Sequence, residues 1–123
     1  MIDHLGITCA DLDASARFYD ATLAVLGHRR LRDVGGSIGY GSHAPDFWIS
    51  RAIDDGPNRE SHLAFTAPSA DAVRQWFEAA TSLGAEVLHA PRFWPEYHDG
   101  YFGAFVRDPD GNNVEAVCHH GDV

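Results

Sequence analysis

The sequence predicts an α+β protein built from two βαβββ modules whose open faces turn toward a shared concavity, and three observations carry that expectation. The chain repeats itself: at an offset of 58 residues, "DHLGITCADLDASARFYDATLAV" lies over "SHLAFTAPSADAVRQWFEAATSL" without a gap. Six positions are identical: His4 with His62, Leu5 with Leu63, Thr8 with Thr66, Asp13 with Asp71, Ala14 with Ala72 and Ala21 with Ala79. At the head of each copy apolar residues alternate with polar or small ones, and just beyond it they recur at three- and four-residue steps.

The elements follow in order. In "IDHLGITC", Leu5, Ile7 and Cys9 alternate with His4, Gly6 and Thr8, which is the period of a strand with one apolar face. Leu12, Ala16, Tyr19, Leu23 and Leu26 then mark the buried stripe of a helix that starts near Asp11 and stops at Gly27. Strands are expected at 29–34, 37–40 and 46–53. The second copy opens with "SHLAFTA", where Leu63 and Phe65 alternate with His62, Ala64 and Thr66. Its helix starts at Ser69, buries Val73, Trp76, Phe77, Ala80 and Leu83, and stops at Gly84. Strands follow at 86–92, 101–107 and 113–118, the last two joined by the tight turn "DPDG". Residues 1–123 read as one domain, with module 1 at about 1–55 and module 2 at about 60–119.

Composition narrows the function. The chain is 45% hydrophobic, enough for a real core at 123 residues, and carries 18 acidic against 9 basic residues for a formal charge of −9. That sign opposes a phosphate backbone, and no Lys/Arg cluster overrides it, so no nucleic-acid partner is expected. No window approaches the ~18 apolar residues of a membrane span. "MIDHLGITCADLD" has no basic segment or apolar run of a leader, so the expectation is a soluble, cytoplasmic protein with no membrane partner. Cys9 and Cys118 are too few for a disulfide framework and are expected as reduced, packed thiols.

One residue resists this account. Glu115 sits inside the short apolar strand "NNVEAV", where an ionised carboxylate is costly unless it is paired or bound to a cation. A helix covering the apolar face of each module leaves the other face open, with His4 and His62 at equivalent places beside Gly6 and Ala64. Taken singly, a strand His or Glu is ordinarily a hydrogen-bonded or solvated residue. Together, two His and one carboxylate make a set that suits a divalent Fe, Mn, Zn or Ni ion and leaves coordination positions open.

The stretches "DHLGI", "FYDATLAVLGHRR", "SHLAF" and "DPDGNNVEAV" resemble the vicinal oxygen chelate superfamily, which groups glyoxalase I, extradiol dioxygenases and the fosfomycin and bleomycin resistance proteins. The likeness covers nearly the whole chain. It implies two βαβββ modules forming a cup-shaped mixed β-sheet around one divalent metal, with His4, His62 and Glu115 as ligands. It also implies a small-molecule substrate that chelates the metal through two oxygens, and a homodimer in which modules of two subunits complete one cup. The activity implied is dioxygenase-like or glyoxalase-like (lyase or isomerase); the alternative is a non-catalytic binding protein of the bleomycin-resistance type.

The branches differ at identifiable positions. Glyoxalase I adds a carboxylate ligand on the last strand of the first module, where this chain reads "DFWISRAI" and sets Trp48 or Ile49 opposite Glu115; only a slip of the alignment would bring in Asp46. Extradiol enzymes resemble this chain in the ligand set but carry a Tyr ten residues before the ligand Glu, where Phe105 stands here. Fosfomycin-modifying enzymes need basic residues beyond the ligand Glu, and "AVCHHGDV" offers no Lys or Arg. The segment "PRFWPEYHDGYFGAF" is expected as an aromatic wall or a subunit contact. Within it His98 and Tyr101 are the candidate catalytic residues beside Glu115, as groups able to move protons near the metal. Arg51 is a candidate anion contact, and His119 and His120 are expected to be solvated.

Overall fold

Each half of the chain folds as a strand, a helix and three strands in the computed structural model, which describes residues 1–121. Module 1 comprises β1 (Leu5–Cys9), α1 (Leu12–Val25), β2 (Arg29–Asp33), β3 (Ser37–Gly41) and β4 (Phe47–Arg51). Module 2 comprises β5 (His62–Thr66), α2 (Ala70–Ser82), β6 (Val87–Phe93), β7 (Phe102–Arg107) and β8 (Asn113–Cys118). This is the α+β architecture that the repeat predicts. The four strands of each module form their own mixed sheet, ordered β1-β4-β3-β2 and β5-β8-β7-β6, so β1 and β5 are both edge strands. In each sheet the first and last strands of the module run parallel, which brings the start of the repeat beside its end.

The helices begin and end where their sequences say they should. Asp11 accepts a hydrogen bond from the Ala14 amide, and Ser69 accepts one from the Ala72 amide, both at 3.0 Å. At the other end Gly27 and Gly84 take φ of 88° and 82°, a left-handed turn that any residue with a Cβ enters at a cost. The amides of His28 and Ala85 reach back to the carbonyls of Leu23 and Ala80 and close both helices in the same way. Leu83, expected on the buried stripe, instead caps α2 and is half-exposed, because the helix ends one residue before it.

One hydrophobic cluster joins both modules. Tyr19, Leu23 and Phe18 of α1, Val73, Trp76 and Ala80 of α2, and the inward residues of β4 and β8 all belong to it. Phe47 of β4 meets Phe65 of β5 edge-on at 5.1 Å, and Tyr19 meets Phe47 at 5.0 Å. A buried polar knot then ties the modules. The Tyr19 hydroxyl donates to Asp108 (2.7 Å), the Asn112 side chain donates to the same carboxylate (3.0 Å), and Asp110 accepts from the Ala10 amide (2.9 Å) and from Ser15 (3.2 Å). Each buried polar atom of that knot is thus partnered, which is the condition for it to stabilise rather than weaken a core. Burial pushes the Cys9 thiol up to about 11, so it packs as a neutral thiol beside the knot. Among the described residues no helix is long and apolar enough to cross a membrane.

Candidate metal centre

The open face of module 2 gathers the residues that composition alone could not place. Along β8, Val114, Ala116 and Cys118 point into the core, which turns Glu115 to the opposite face, alongside Asn113 and Val117. Glu115 is nonetheless only 2% exposed. It is covered by Tyr101, whose hydroxyl donates to Oε2, and by His62, whose Nε2 lies 3.1 Å from Oε1. Gly103 leaves the room: a Cβ there would come within 3.2 Å of Glu115 Oε2 and 3.3 Å of the Tyr101 ring. Burial, then the hydrogen bond and charge of Glu115, raise the Tyr101 phenol well above its ordinary value, so it stays a proton donor to the carboxylate.

The orientation of His62 decides what this pair can hold. Its Nδ1 lies 3.0 Å from the Asn113 carbonyl, an acceptor only, so Nδ1 carries the proton. In the neutral ring Nε2 is therefore a bare lone pair aimed at an oxygen lone pair of Glu115. Two such donors converge stably on a cation between them, which is either a proton on Nε2 or a metal ion. Metal-ligating histidines are commonly held by donating one ring N–H to a backbone carbonyl, and His62 is held in that way at Asn113. Phe105 stacks against the imidazole at 6.0 Å and 18° and limits its tilt.

His4 is not brought to this pair within the chain. It precedes β1, is exposed, and its Nδ1 bonds Asp3 at 2.6 Å. Among the described residues, no three His, Cys, Asp or Glu side chains come close enough to hold a metal ion. His98 is not in contact with Glu115 either; it reaches the site through Tyr101, whose ring it meets edge-on at 5.3 Å. Its Nδ1 donates to the Asp99 carbonyl (2.8 Å), and its Nε2 lies 3.0 Å from His119 Nδ1. His119 also packs edge-on against Tyr101 at 5.2 Å. The sequence offered no signal for His119, because its place depends on the chain after β8 turning back, where the Gly121 amide bonds the Gly100 carbonyl (2.8 Å). Arg51 is exposed at the end of β4.

The aromatic segment packs on β7 of this same chain. Trp94, 6% exposed, donates from its indole N–H to the Gly103 carbonyl (3.1 Å) and packs on Phe105. Tyr97 stacks on Trp94 at 5.5 Å and 9° and is 57% exposed. The Arg92 guanidinium lies over the Trp94 ring at 3.4 Å.

The register also settles what stands opposite Glu115 in module 1. Ala64 pairs with Glu115, and Gly6, which overlays Ala64 in the repeat, pairs with Trp48. Trp48 rather than Ile49 is thus the equivalent residue, and Ile49 is in the core. Asp46 lies outside β4 and is exposed.

Residues 1–116 match the model of the Glyoxalase/Bleomycin resistance protein/Dioxygenase superfamily. The chain belongs to that superfamily. It is 30% identical over 123 residues to protein YqjT of Bacillus subtilis (strain 168), a match covering 94% of this chain and 96% of that one. The crystal structure of a glyoxalase/bleomycin resistance protein from Albidiferax ferrireducens T118 superposes with a TM-score of 0.82 at 29% identity, over 94% of this chain and 96% of that one. The fold is also that of the lactoylglutathione lyase of Agrobacterium tumefaciens, with a TM-score of 0.67 at 24% identity, over 95% and 92% of the two chains.

Proposed function

We propose that this superfamily member is a divalent-metal-dependent enzyme acting on a small molecule that binds the metal through two oxygens. The observation that carries the reading is the convergence of His62 Nε2 and Glu115 Oε1 at 3.1 Å, with the histidine proton committed to Asn113. His4 is the third ligand, supplied across a homodimer in which the free edge of β1 in one subunit meets that of β5 in the other. Bound there, the metal would polarise the substrate oxygens and stabilise negative charge developing on them.

The chain's own residues do the rest. Glu115 and His62 would hold the metal, and Tyr101 keeps Glu115 oriented by donating to its other oxygen. Tyr101 and His98 are the groups that hold or pass a proton beside the substrate, and the wall of Trp94 and Tyr97 excludes water from one side. Dioxygenase-like and glyoxalase-like chemistry both fit this set. The lack of a carboxylate at Trp48 favours a three-ligand site, with room for O₂ besides a chelating substrate. A non-catalytic binding cup of the bleomycin-resistance type is the second reading; the Tyr97 ring, stacked on Trp94 and 57% exposed, would serve a bound ligand without any metal.

Metal analysis tests the reading first: near one metal ion per dimer-completed site is expected, and a protein that neither carries nor acquires metal refutes it. Complementation tests the shared site. A heterodimer of His4→Ala and His62→Ala subunits retains one intact site of two if the ligands come from different chains, and none if they come from one. Oxygen uptake with Fe(II) and catechols, set beside isomerisation of thiol-aldehyde adducts with Ni(II) or Zn(II), separates the two reactions.

A further inference from the structure

The open face of module 1 carries a built feature of its own. Trp48, at the place of Glu115, has its indole fixed at both ends. Its Nε1 donates to the Pro45 carbonyl at 2.8 Å. Its six-membered ring lies over Gly39, where a Cβ would come within 2.9 Å of Cε2 and Cζ2 and 2.8 Å of Pro45 Cβ. On the other neighbouring strand, a Cβ at Gly6 would lie 3.7 Å from Trp48 Cβ. Any side chain at 39 would lift the indole off the sheet, so glycine there is what lets the ring lie down. The indole is only half-buried, with its one polar atom satisfied, so its exposed part offers an apolar aromatic surface held in one orientation.

We propose that Trp48 is the stacking platform for a planar ring carried by the two-oxygen substrate, and that it selects aromatic chelators over aliphatic ones. The proposal rests on the shared metal site proposed above. β4 and β8 each lie one strand in from the free edges of β1 and β5. When those edges meet, Trp48 and Glu115 occupy equivalent positions on either side of the seam, one presenting a π-face and the other an oxygen ligand. A chelator bound at the Glu115 side therefore directs its remaining body toward the Trp48 side, where a flat ring gains offset-stacked or edge contacts that an alkyl group does not.

The test uses two probes that chelate metal through the same two adjacent oxygens and differ in the ring, benzohydroxamate and acetohydroxamate, with protein loaded with Zn(II). Zinc content is measured before either probe is added. Failure to take up zinc refutes the metal reading, and the proposal with it, at that step. In the zinc-loaded wild type, benzohydroxamate is expected to bind about ten-fold more tightly than acetohydroxamate. In Trp48→Ala that ratio falls toward one, while zinc content and acetohydroxamate affinity are unchanged; in Trp48→Phe, which keeps a ring, most of the preference returns. No preference in the zinc-loaded wild type overturns the proposal, and so does a preference that survives in Trp48→Ala. Loss of preference in Tyr97→Ala with its retention in Trp48→Ala overturns it too, by placing the ring on the module 2 wall.

Discussion

The two modules share a backbone plan, down to the register of the first, third and fourth strands of each, yet their open faces carry opposite chemistry. In module 2, Ala64 and Phe105 flank a buried carboxylate that is hydrogen-bonded by Tyr101 and faced by a histidine. In module 1 the equivalent neighbours, Gly6 and Gly39, flank an indole bonded to a backbone carbonyl. The helix-facing sides are alike because both must fill one core. The open sides are not bound by that demand, so the same position can hold a charge in one copy and a ring in the other. A carboxylate costs several kcal/mol to bury and persists only where partners surround it. Module 2 supplies one of those partners, Tyr101, from the 94–101 segment between β6 and β7, whereas the equivalent connection between β2 and β3 in module 1 spans only residues 34–36 and has no room for such a segment.

The sharpest way to break the comparison is to neutralise the charge. Glu115→Gln keeps the shape and the Tyr101 contact but removes the anion that His62 faces, and metal affinity is expected to fall by more than about 100-fold. Trp48→Ala should leave metal content unchanged, and equal loss in both variants would show that the two faces are not specialised as described.

Steric clearance is the next difference. Gly39→Ala drives a methyl to within 2.9 Å of the indole and should cost about 1–3 kcal/mol in chemical denaturation. Gly103→Ala meets Glu115 and Tyr101 at 3.2 and 3.3 Å, so it should cost less stability and instead weaken metal binding by about ten-fold.

The knot between the modules gives a smaller effect with a pH signature. Tyr19→Phe leaves Asp108 short of one donor and should cost roughly 1–2 kcal/mol at neutral pH. Burial, then the charge and hydrogen bond of Asp108, raise the Tyr19 phenol well above its ordinary value of 10.0. The folded chain thus keeps a proton that the unfolded chain loses, so this contribution is complete below pH 10.0 and is lost as pH rises through the folded value. Denaturation midpoints of the wild type should therefore fall above about pH 10, and the fall should be shallower in Tyr19→Phe, with Tyr40 and Tyr101, both also raised, supplying much of the remainder.

The least effect on the lone fold is expected at His4. His4→Ala should change stability by less than about 0.5 kcal/mol, since the side chain is exposed. Metal content should nevertheless fall as in His62→Ala. A large thermal shift with unchanged metal would remove His4 from the ligand set.

The sequence by itself determined the repeat, the order of elements and the oddity of Glu115. Strand and helix periods, the caps at Asp11 and Ser69 and the stops at Gly27 and Gly84 are local matters, settled within a few residues. The choice of Trp48 over Ile49, the Asn113 carbonyl that commits the His62 proton, the Gly103 clearance and the contact of His98 with His119 were decided only by tertiary structure. Each depends on strands or loops far apart in the chain meeting in one register, and a one-residue shift of β4 would have put Ile49 on the open face and Trp48 in the core.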